Sequence, residues 1–171
     1  MPVWRAIPIL ILALFAAGCG EDPMVAVQDC QQPKSWRSQV DACTKVIESK
    51  PKASQAAKAY DNRCQAYNQL DQPDKAIPDC DMAIKLQPRS ASAYNNRGWA
   101  REIRKEFDLA LVDYGKAIEL DPKFALAYAN RGDVYAKTGE REKAIAEYRQ
   151  AIAIEPENEI AQGGLKKLRA R

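Results

Sequence analysis

The strongest constraint on the fold is an internal repeat with a period of 34 residues. Prolines recur at positions 88, 122 and 156, and the same shift aligns identical residues elsewhere. The aligned sets are Tyr60/Tyr94/Tyr128, Asn62/Asn96/Asn130, Arg63/Arg97/Arg131, Ala76/Ala110/Ala144, Ala83/Ala117/Ala151 and Ile84/Ile118/Ile152. So many identities at one period predict a stack of three similar units over residues 57–90, 91–124 and 125–158.

Each unit has the pattern of two amphipathic helices joined by a short turn. In the third unit, residues 125–137 form the first predicted helix, and Gly139 suits its C-terminal cap. Residues 142–154 form the second, which Pro156 prevents from continuing. One helical hairpin cannot bury its apolar face alone, so the units are expected to stack into an all-α solenoid.

The positions of the repeated residues resemble the tetratricopeptide repeat family. Counted from residues 57, 91 and 125, the fourth place is Tyr60, Tyr94 and Tyr128, and the eighth is Cys64, Gly98 and Gly132. The twentieth is Ala76, Ala110 and Ala144, the twenty-fourth is Cys80, Tyr114 and Tyr148, and the last is Pro88, Pro122 and Pro156. The departures are Arg101, where Tyr67 and Tyr135 stand in the other units, and the pair Cys64/Cys80. The resemblance implies a right-handed superhelical solenoid of antiparallel helix pairs and a role in binding proteins.

The segments on either side of the three units fit capping helices. Residues 34–52 resemble the second helix of a unit and predict an N-terminal cap helix, and residues 159–171 predict a C-terminal one, with Asn158 as its N-cap. Residues 19–33 contain two prolines and no sustained periodicity, and therefore predict a tether. Pro78 falls within the second helix of the first unit, where it lies near the first turn or else kinks the helix.

The amino terminus has the pattern of an export signal over residues 1–18. One Arg precedes an uncharged apolar run over residues 6–18, which is too short to span a bilayer. Ala16, Ala17, Gly18 and Cys19 resemble a bacterial lipobox, although Leu is more usual where Ala16 stands. The sequence thus predicts a periplasm-facing lipoprotein, expected at the outer membrane, with Cys19 carrying acyl chains such as palmitate. Ordinary cleavage after Gly18 is the alternative.

The remaining four cysteines are even in number, which in an exported chain favours disulfides. Cys64 and Cys80 lie symmetrically about the middle of a helical hairpin, where facing Cα atoms come within disulfide range. The pairing Cys64–Cys80 leaves Cys30–Cys43 by elimination. The alternative is that Cys64 and Cys80 are small core residues. A redox enzyme and a zinc site are both disfavoured, because the chain has no Cys-x-x-Cys and no His.

Composition excludes several classes of function. The chain has no His, so Ser-His and Cys-His catalysis are impossible, and no other pattern indicates an enzyme or a cofactor. A net charge of +3 over 171 residues is too small to indicate nucleic-acid binding. Neither a metal nor a small-molecule substrate is predicted.

One stripe of each unit's first helix points away from the packing face. Helical spacing selects Lys58, Asp61, Gln65 and Asn68, then Ser92, Asn95, Trp99 and Glu102, then Leu126, Ala129, Asp133 and Ala136. In the family that the chain resembles, these places line a concave groove that holds peptides. Lys58 and Glu102 also fit a solvated helix face, whereas Trp99 fits either a ligand anchor or a ring covered by a neighbouring helix.

The amides Asn62, Asn96 and Asn130 suit hydrogen bonds to an extended peptide, or else the capping of local structure. The predicted groove site is therefore Lys58, Asp61, Asn62, Gln65, Asn95, Asn96, Trp99, Leu126, Asn130 and Asp133. Asp61 and Ala129 stand where some family members bind peptide carboxylates through polar or cationic donors, so a chaperone C-terminus is not the expected ligand.

Two functions follow from this sequence. The first is a non-enzymatic adaptor or scaffold that is anchored in the cell envelope and binds a segment of another envelope protein in its groove. The second is a structural subunit of an envelope or pilus biogenesis assembly, which would use the convex face or the ends of the solenoid.

Overall fold

The computed structural model describes residues 23–169, which form nine α-helices and no strand. The helices are α1 Pro23–Gln31, α2 Trp36–Glu48, α3 Ala53–Gln69, α4 Pro73–Leu86, α5 Ala91–Ile103, α6 Phe107–Leu120, α7 Ala125–Thr138, α8 Arg141–Ile154 and α9 Glu159–Arg169. The predicted all-α solenoid is confirmed. Prolines 88, 122 and 156 each stand two residues beyond the end of a second helix, where they prevent its continuation.

The helices form successive antiparallel hairpins, and the pattern of contacts makes the stack curved. The first helices contact one another directly, α1 with α3, α3 with α5 and α5 with α7. The second helices α2, α4, α6 and α8 contact first helices but not each other. The first helices are therefore closer together than the second ones, and they line the inner, concave surface.

The eighth and twenty-fourth places of each unit meet inside the hairpin. In the second unit Gly98 lies against the buried ring of Tyr114, and a Cβ added at Gly98 would stand 2.8 Å from the ring. Gly132 and Tyr148 repeat this arrangement, also at 2.8 Å. The glycines thus allow the two helices to approach closely around an aromatic ring.

In the first unit, a disulfide joins the two helices at the same two places. Cys64 and Cys80 form a disulfide with an S–S distance of 2.02 Å, and both residues are fully buried. Cys30 and Cys43 form a second disulfide, with an S–S distance of 2.11 Å. The structure therefore contains the two pairs that the sequence predicts.

The predicted tether is wrong for residues 23–31, because they form helix α1. Ala26 and Cys30 pack against Ala42, Cys43 and Val46 of α2, and the Cys30–Cys43 disulfide joins the two helices. The sequence concealed this helix because its apolar residues 24–27 are consecutive and show no 3.6-residue period. Helices α1 and α2 thus form an additional hairpin, where the sequence predicted a single cap helix.

Each of the flanking helices α2 and α9 has a side-chain N-cap at its start, and the sequence predicted the one at Asn158. Ser35 accepts a hydrogen bond from the backbone N–H of Ser38 at 3.1 Å at the start of α2, and Asn158 accepts one from Ala161 at 3.0 Å. Pro78 is the sixth residue of α4 and is exposed. Its missing N–H therefore leaves one carbonyl of the preceding turn facing solvent.

The signal sequence and Cys19 lie outside the described residues, and export and lipidation stay predictions. Among residues 23–169, no helix is long and apolar enough to cross a membrane.

Candidate functional site

The concave surface carries the residues that the sequence assigns to the groove. Lys58 is exposed, and most of the others are half-buried, as expected for an open groove: Asp61, Asn62, Gln65, Trp99, Leu126, Asn130 and Asp133. Asn95 and Asn96 differ, because they are only 2% and 9% exposed. The ten residues thus share one surface, but not all of them are accessible there.

A hydrogen-bonded cluster joins the first two units across the groove floor. The carboxylate of Asp61 accepts hydrogen bonds from Ser92 Oγ at 2.5 Å and from Asn96 Nδ2 at 2.8 Å. Burial raises the pKa of Asp61, and the two hydrogen bonds oppose that shift. The backbone carbonyl of Asn96 also accepts a bond from Asn68 Nδ2 at 2.7 Å. Asp61 therefore holds α5 against α3.

The repeated amides make the same kind of connection along the rest of the stack. Asn130 Nδ2 donates to Asn95 Oδ1 at 3.0 Å, and Asn62 Nδ2 donates to the backbone carbonyl of Cys30 at 3.0 Å. The amides therefore bond to neighbouring first helices, whereas the sequence analysis offered peptide binding or local capping. Each bond links a first helix to the next one, so this row fixes the curvature of the surface.

The expectation of a solvated face is wrong for Glu102, which is 8% exposed. It accepts hydrogen bonds from Tyr114 Oη at 2.6 Å and from Lys137 Nζ at 2.6 Å, and it thereby connects the second and third units. Burial raises the pKa of Tyr114 well above its ordinary value, and the charge of Glu102 adds to this shift. The ring that fills the hairpin is thus also tied to the groove floor.

The groove is more apolar in the second and third units than in the first. Trp99 is half-buried and lies on the concave stripe of α5. On the next first helix, Leu126 and Ala136 are half-buried and Ala129 is fully buried. An aromatic side chain that is neither in the core nor fully solvated is suited to contact a bound apolar group.

A small pocket of about 140 Å³ lies at the other end, between the first two hairpins. Its floor is apolar, and Lys58 and Asn62 stand among its polar lining residues. The complete lining is Val27, Cys30, Gln31, Val46, Ser54, Gln55, Lys58, Ala59 and Asn62. Helix α1 lines this pocket, so an interpretation of residues 19–33 as a tether could not predict it.

The sequence analysis also missed a repeated ion pair that joins the two helices of each 34-residue unit. Arg63 pairs with Asp79 at 2.7 Å, and Arg97 with Asp113 at 2.7 Å. Arg131 pairs with Glu147 at 2.8 Å in the third unit. The 34-residue shift relates these acidic residues to one another, so the same alignment that revealed the prolines could have revealed the pairs.

The described residues contain no cluster of acidic or Cys side chains suited to hold a metal.

Residues 103–139 match a family described as TPR repeat, and residues 125–158 match one described as Tetratricopeptide repeat. The TPR domain of Arabidopsis OM64 is 30% identical, covers 69% of this chain and 98% of its own length, and superimposes with a TM-score of 0.65. The chain belongs to the tetratricopeptide repeat family.

Other solved TPR structures have similar architecture. The first TPR of Spaghetti (RPAP3), bound to the HSP90 peptide SRMEEVD, is 26% identical over 68% of this chain and 93% of its own, with a TM-score of 0.64. A MamA protein is 25% identical over 86% of this chain and 79% of its own, with a TM-score of 0.68. No curated protein sequence matches the chain.

The TPR fold is generally a non-catalytic scaffold, and this chain is a TPR-type protein-interaction module. The hydrogen bonds of the groove floor explain how such a module remains rigid. Its first helices are joined to one another by side chains, so a bound segment meets a preformed surface.

Proposed function

We propose that this TPR protein is an adaptor anchored in the cell envelope through Cys19, and that it binds a segment of another envelope protein in its concave groove. The observation that carries the proposal is Trp99, a half-buried aromatic residue on the groove surface. A binding site built around such an anchor derives much of its affinity from one ring.

The groove favours a ligand segment with one polar and one apolar part. Lys58 and Gln65 present polar groups at the first unit, whereas Leu126 and Ala136 present apolar ones at the third. Trp99 stands between them. The apolar part of the segment is therefore expected against Trp99 and Leu126.

The chemistry of the floor disfavours an acidic peptide tail such as the one that RPAP3 binds. The Asp61 carboxylate is already bonded within the protein, and Leu126 has no charge to offer a carboxylate. In addition, the half-buried Asp61 and the buried Glu102 contribute negative charge to this surface.

One observation favours the second function, a subunit of a larger envelope or pilus biogenesis assembly. Leu109 and Val112, on the outer helix α6, are 48% and 67% exposed. They are three residues apart, so they lie on the same face of the helix. An exposed apolar pair on the convex surface suits a constitutive contact with another subunit.

Site-specific photo-cross-linking in cells separates the two functions. A photoreactive amino acid at Gln65 samples the groove, and the same amino acid at Val112 samples the convex face as a matched control. The adaptor function predicts that one partner is captured from Gln65 and not from Val112. Capture from Val112 alone would instead support the assembly subunit.

A further inference from the structure

We infer that the protein forms a symmetric dimer, in which the outer face of α6 packs against α6 of a second copy in antiparallel orientation about Val112. The two concave grooves then face away from each other and stay open. The inference goes beyond the functions proposed above, because it depends neither on the anchor at Cys19 nor on what the groove binds.

The first argument is an apolar face on α6 that nothing in the described chain covers. Helix α6 contacts α5 and α7 and no other described helix. Leu109 and Val112 lie on its outer face, three residues apart, and are 48% and 67% exposed. Both side chains therefore remain in water after the chain has folded, and a second surface that covers them would remove this apolar area from water.

The second argument comes from the same two places in the other units. The 34-residue shift gives four equivalent residues, which are also exposed: Lys75, Lys143, Pro78 and Ala146. The fold thus accepts a cation where Leu109 stands and a proline or an alanine where Val112 stands. The apolar pair is not needed for the packing of a unit, and a contact outside the chain accounts for it.

The third argument is a charge pattern that fits a second copy of this face. Its charged residues change sign about Val112, and in chain order they are Lys105, Asp108, Lys116 and Glu119. In an antiparallel pair centred on Val112, residues equally far from Val112 on either side come together. Asp108 then meets Lys116 of the second copy, and Lys105 meets Glu119. A parallel pair would place each charge against an identical one, so the pattern selects the antiparallel arrangement.

The charges on this face are available for contacts with a second copy. Lys116 pairs with Glu119 inside the helix at 2.7 Å, but the two side chains are 38% and 67% exposed. An exposed pair of this kind contributes little to stability, so its members can bond across the dimer instead. Because the outer surface is convex, the helices on either side of α6 turn away from the second copy. The interface is therefore expected to be small and the dimer weak.

The test is sedimentation equilibrium of the purified full chain in density-matched detergent, from micromolar to millimolar concentration. A monomer–dimer equilibrium is expected. Leu109→Lys with Val112→Ala gives α6 the residues that α8 has at the same places, so the fold should be kept. The dimer should weaken by at least about tenfold. Trp99→Ala, on the concave surface, is the matched control and should leave the dimer unchanged.

An exchange of charges tests the antiparallel arrangement. Asp108→Lys should weaken the dimer by roughly tenfold, because the symmetry turns two attractive pairs into repulsive ones. Lys116→Asp should have the same effect. The two substitutions together restore opposite charges and should restore the dimer, which a non-specific apolar contact would not do. Circular dichroism checks that all variants remain helical.

Four results would overturn the inference. A chain that stays monomeric at millimolar concentration has no such dimer. A dimer that Trp99→Ala dissociates, and that Leu109→Lys with Val112→Ala does not, is formed through the groove. Failure of the combined charge exchange to restore the dimer would refute the antiparallel arrangement. Finally, a photoreactive amino acid at Val112 should give a product that contains only this chain, whereas capture of a different protein would mean that an assembly partner covers the face.

Discussion

The first unit and the two later units close the same position in chemically different ways. In the second and third units, a glycine on the first helix receives the ring of Tyr114 or Tyr148 from the second helix. In the first unit, the disulfide Cys64–Cys80 occupies the equivalent places. The comparison shows that the fold requires the two helices to be joined at this point, and that packing or a covalent bond can join them.

The difference extends to the surroundings of each region. The first two hairpins, α1 to α4, contain both disulfides and the polar part of the groove. The last two, α5 to α8, depend on buried rings and contain the apolar part of the groove. The two regions therefore differ in how their helices are held together, by disulfides in the first and by buried rings in the second.

Removal of one of the rings should have the largest effect on stability. Tyr114→Ala leaves a cavity at a fully buried site and deprives Glu102 of a hydrogen bond, and it should lower the free energy of unfolding by about 3–5 kcal/mol. Tyr114→Phe keeps the ring and loses the hydrogen bond, at a cost of about 1–3 kcal/mol. Urea unfolding followed by circular dichroism measures both. Equal losses in the two variants would show that the hydrogen bond, rather than the ring, holds the unit.

Loss of the covalent closure should have the next largest effect. Cys64→Ala with Cys80→Ala opens a disulfide that spans 16 residues of sequence and should lower the free energy of unfolding by about 3 kcal/mol. The measurement is urea unfolding of oxidised protein, after non-reducing peptide mapping has established both disulfides in the parent. An unchanged midpoint would mean that packing alone closes the first unit, as in the other two.

Substitution of Gly163 and Gly164 in α9 tests how closely this helix packs against the ring of Tyr148. A Cβ on Gly164 would overlap the ring of Tyr148, whereas a Cβ on Gly163 would meet no atom within 4 Å. Gly164→Ala should therefore destabilise the protein by about 1–3 kcal/mol. Gly163→Ala should stabilise it by up to about 1 kcal/mol, because Ala is the better helix former. Thermal melts of the pair measure the contrast, and two shifts of the same sign would contradict this packing.

Substitution of Asp61, in the polar part of the groove, should have the smallest effect on stability. The effect should be seen as a change in the pH dependence of stability. Because burial raises its pKa, the folded state binds this proton more tightly than the unfolded state does. The resulting stabilisation is complete below the ordinary Asp pKa of about 3.9 and is lost as the pH rises through the raised value. Asp61→Asn does not titrate there, so it should gain stability relative to the parent between acidic and neutral pH. Melting curves of both proteins across that range test the sign.

The repeat units were predictable from the sequence because their signals recur. The proline at the end of each unit, the recurrence of Gly98 and Gly132, and the pair Cys64–Cys80 follow from the 34-residue alignment and the geometry of a hairpin. The pair Cys30–Cys43 then follows by elimination. Helix α1 was not predictable in this way, since its apolar residues are consecutive and its partner surface on α2 is distant from any repeat signal.

The groove could be predicted only in part, for a physical reason. Helical periodicity identifies the face on which a residue lies but not the partner that it meets on the next helix. Glu102 and Asn95 were assigned to the correct stripe, yet both are buried and bonded to the third unit. Glu102 accepts a hydrogen bond from Lys137, and Asn95 accepts one from Asn130. Such bonds depend on the stacking of the units, which the pattern of one helix does not encode.

The most direct test of the account is the binding of the cross-linked partner to Trp99→Ala. Removal of an aromatic anchor typically costs about 2 kcal/mol or more, so the affinity should fall roughly thirtyfold. The melting temperature should stay close to that of the parent, since Trp99 is only half-buried and lies on the concave surface. Calorimetry with the purified partner, accompanied by thermal melts, gives both quantities. A variant that unfolds, or one that binds with unchanged affinity, would contradict the assignment of the ligand to the groove.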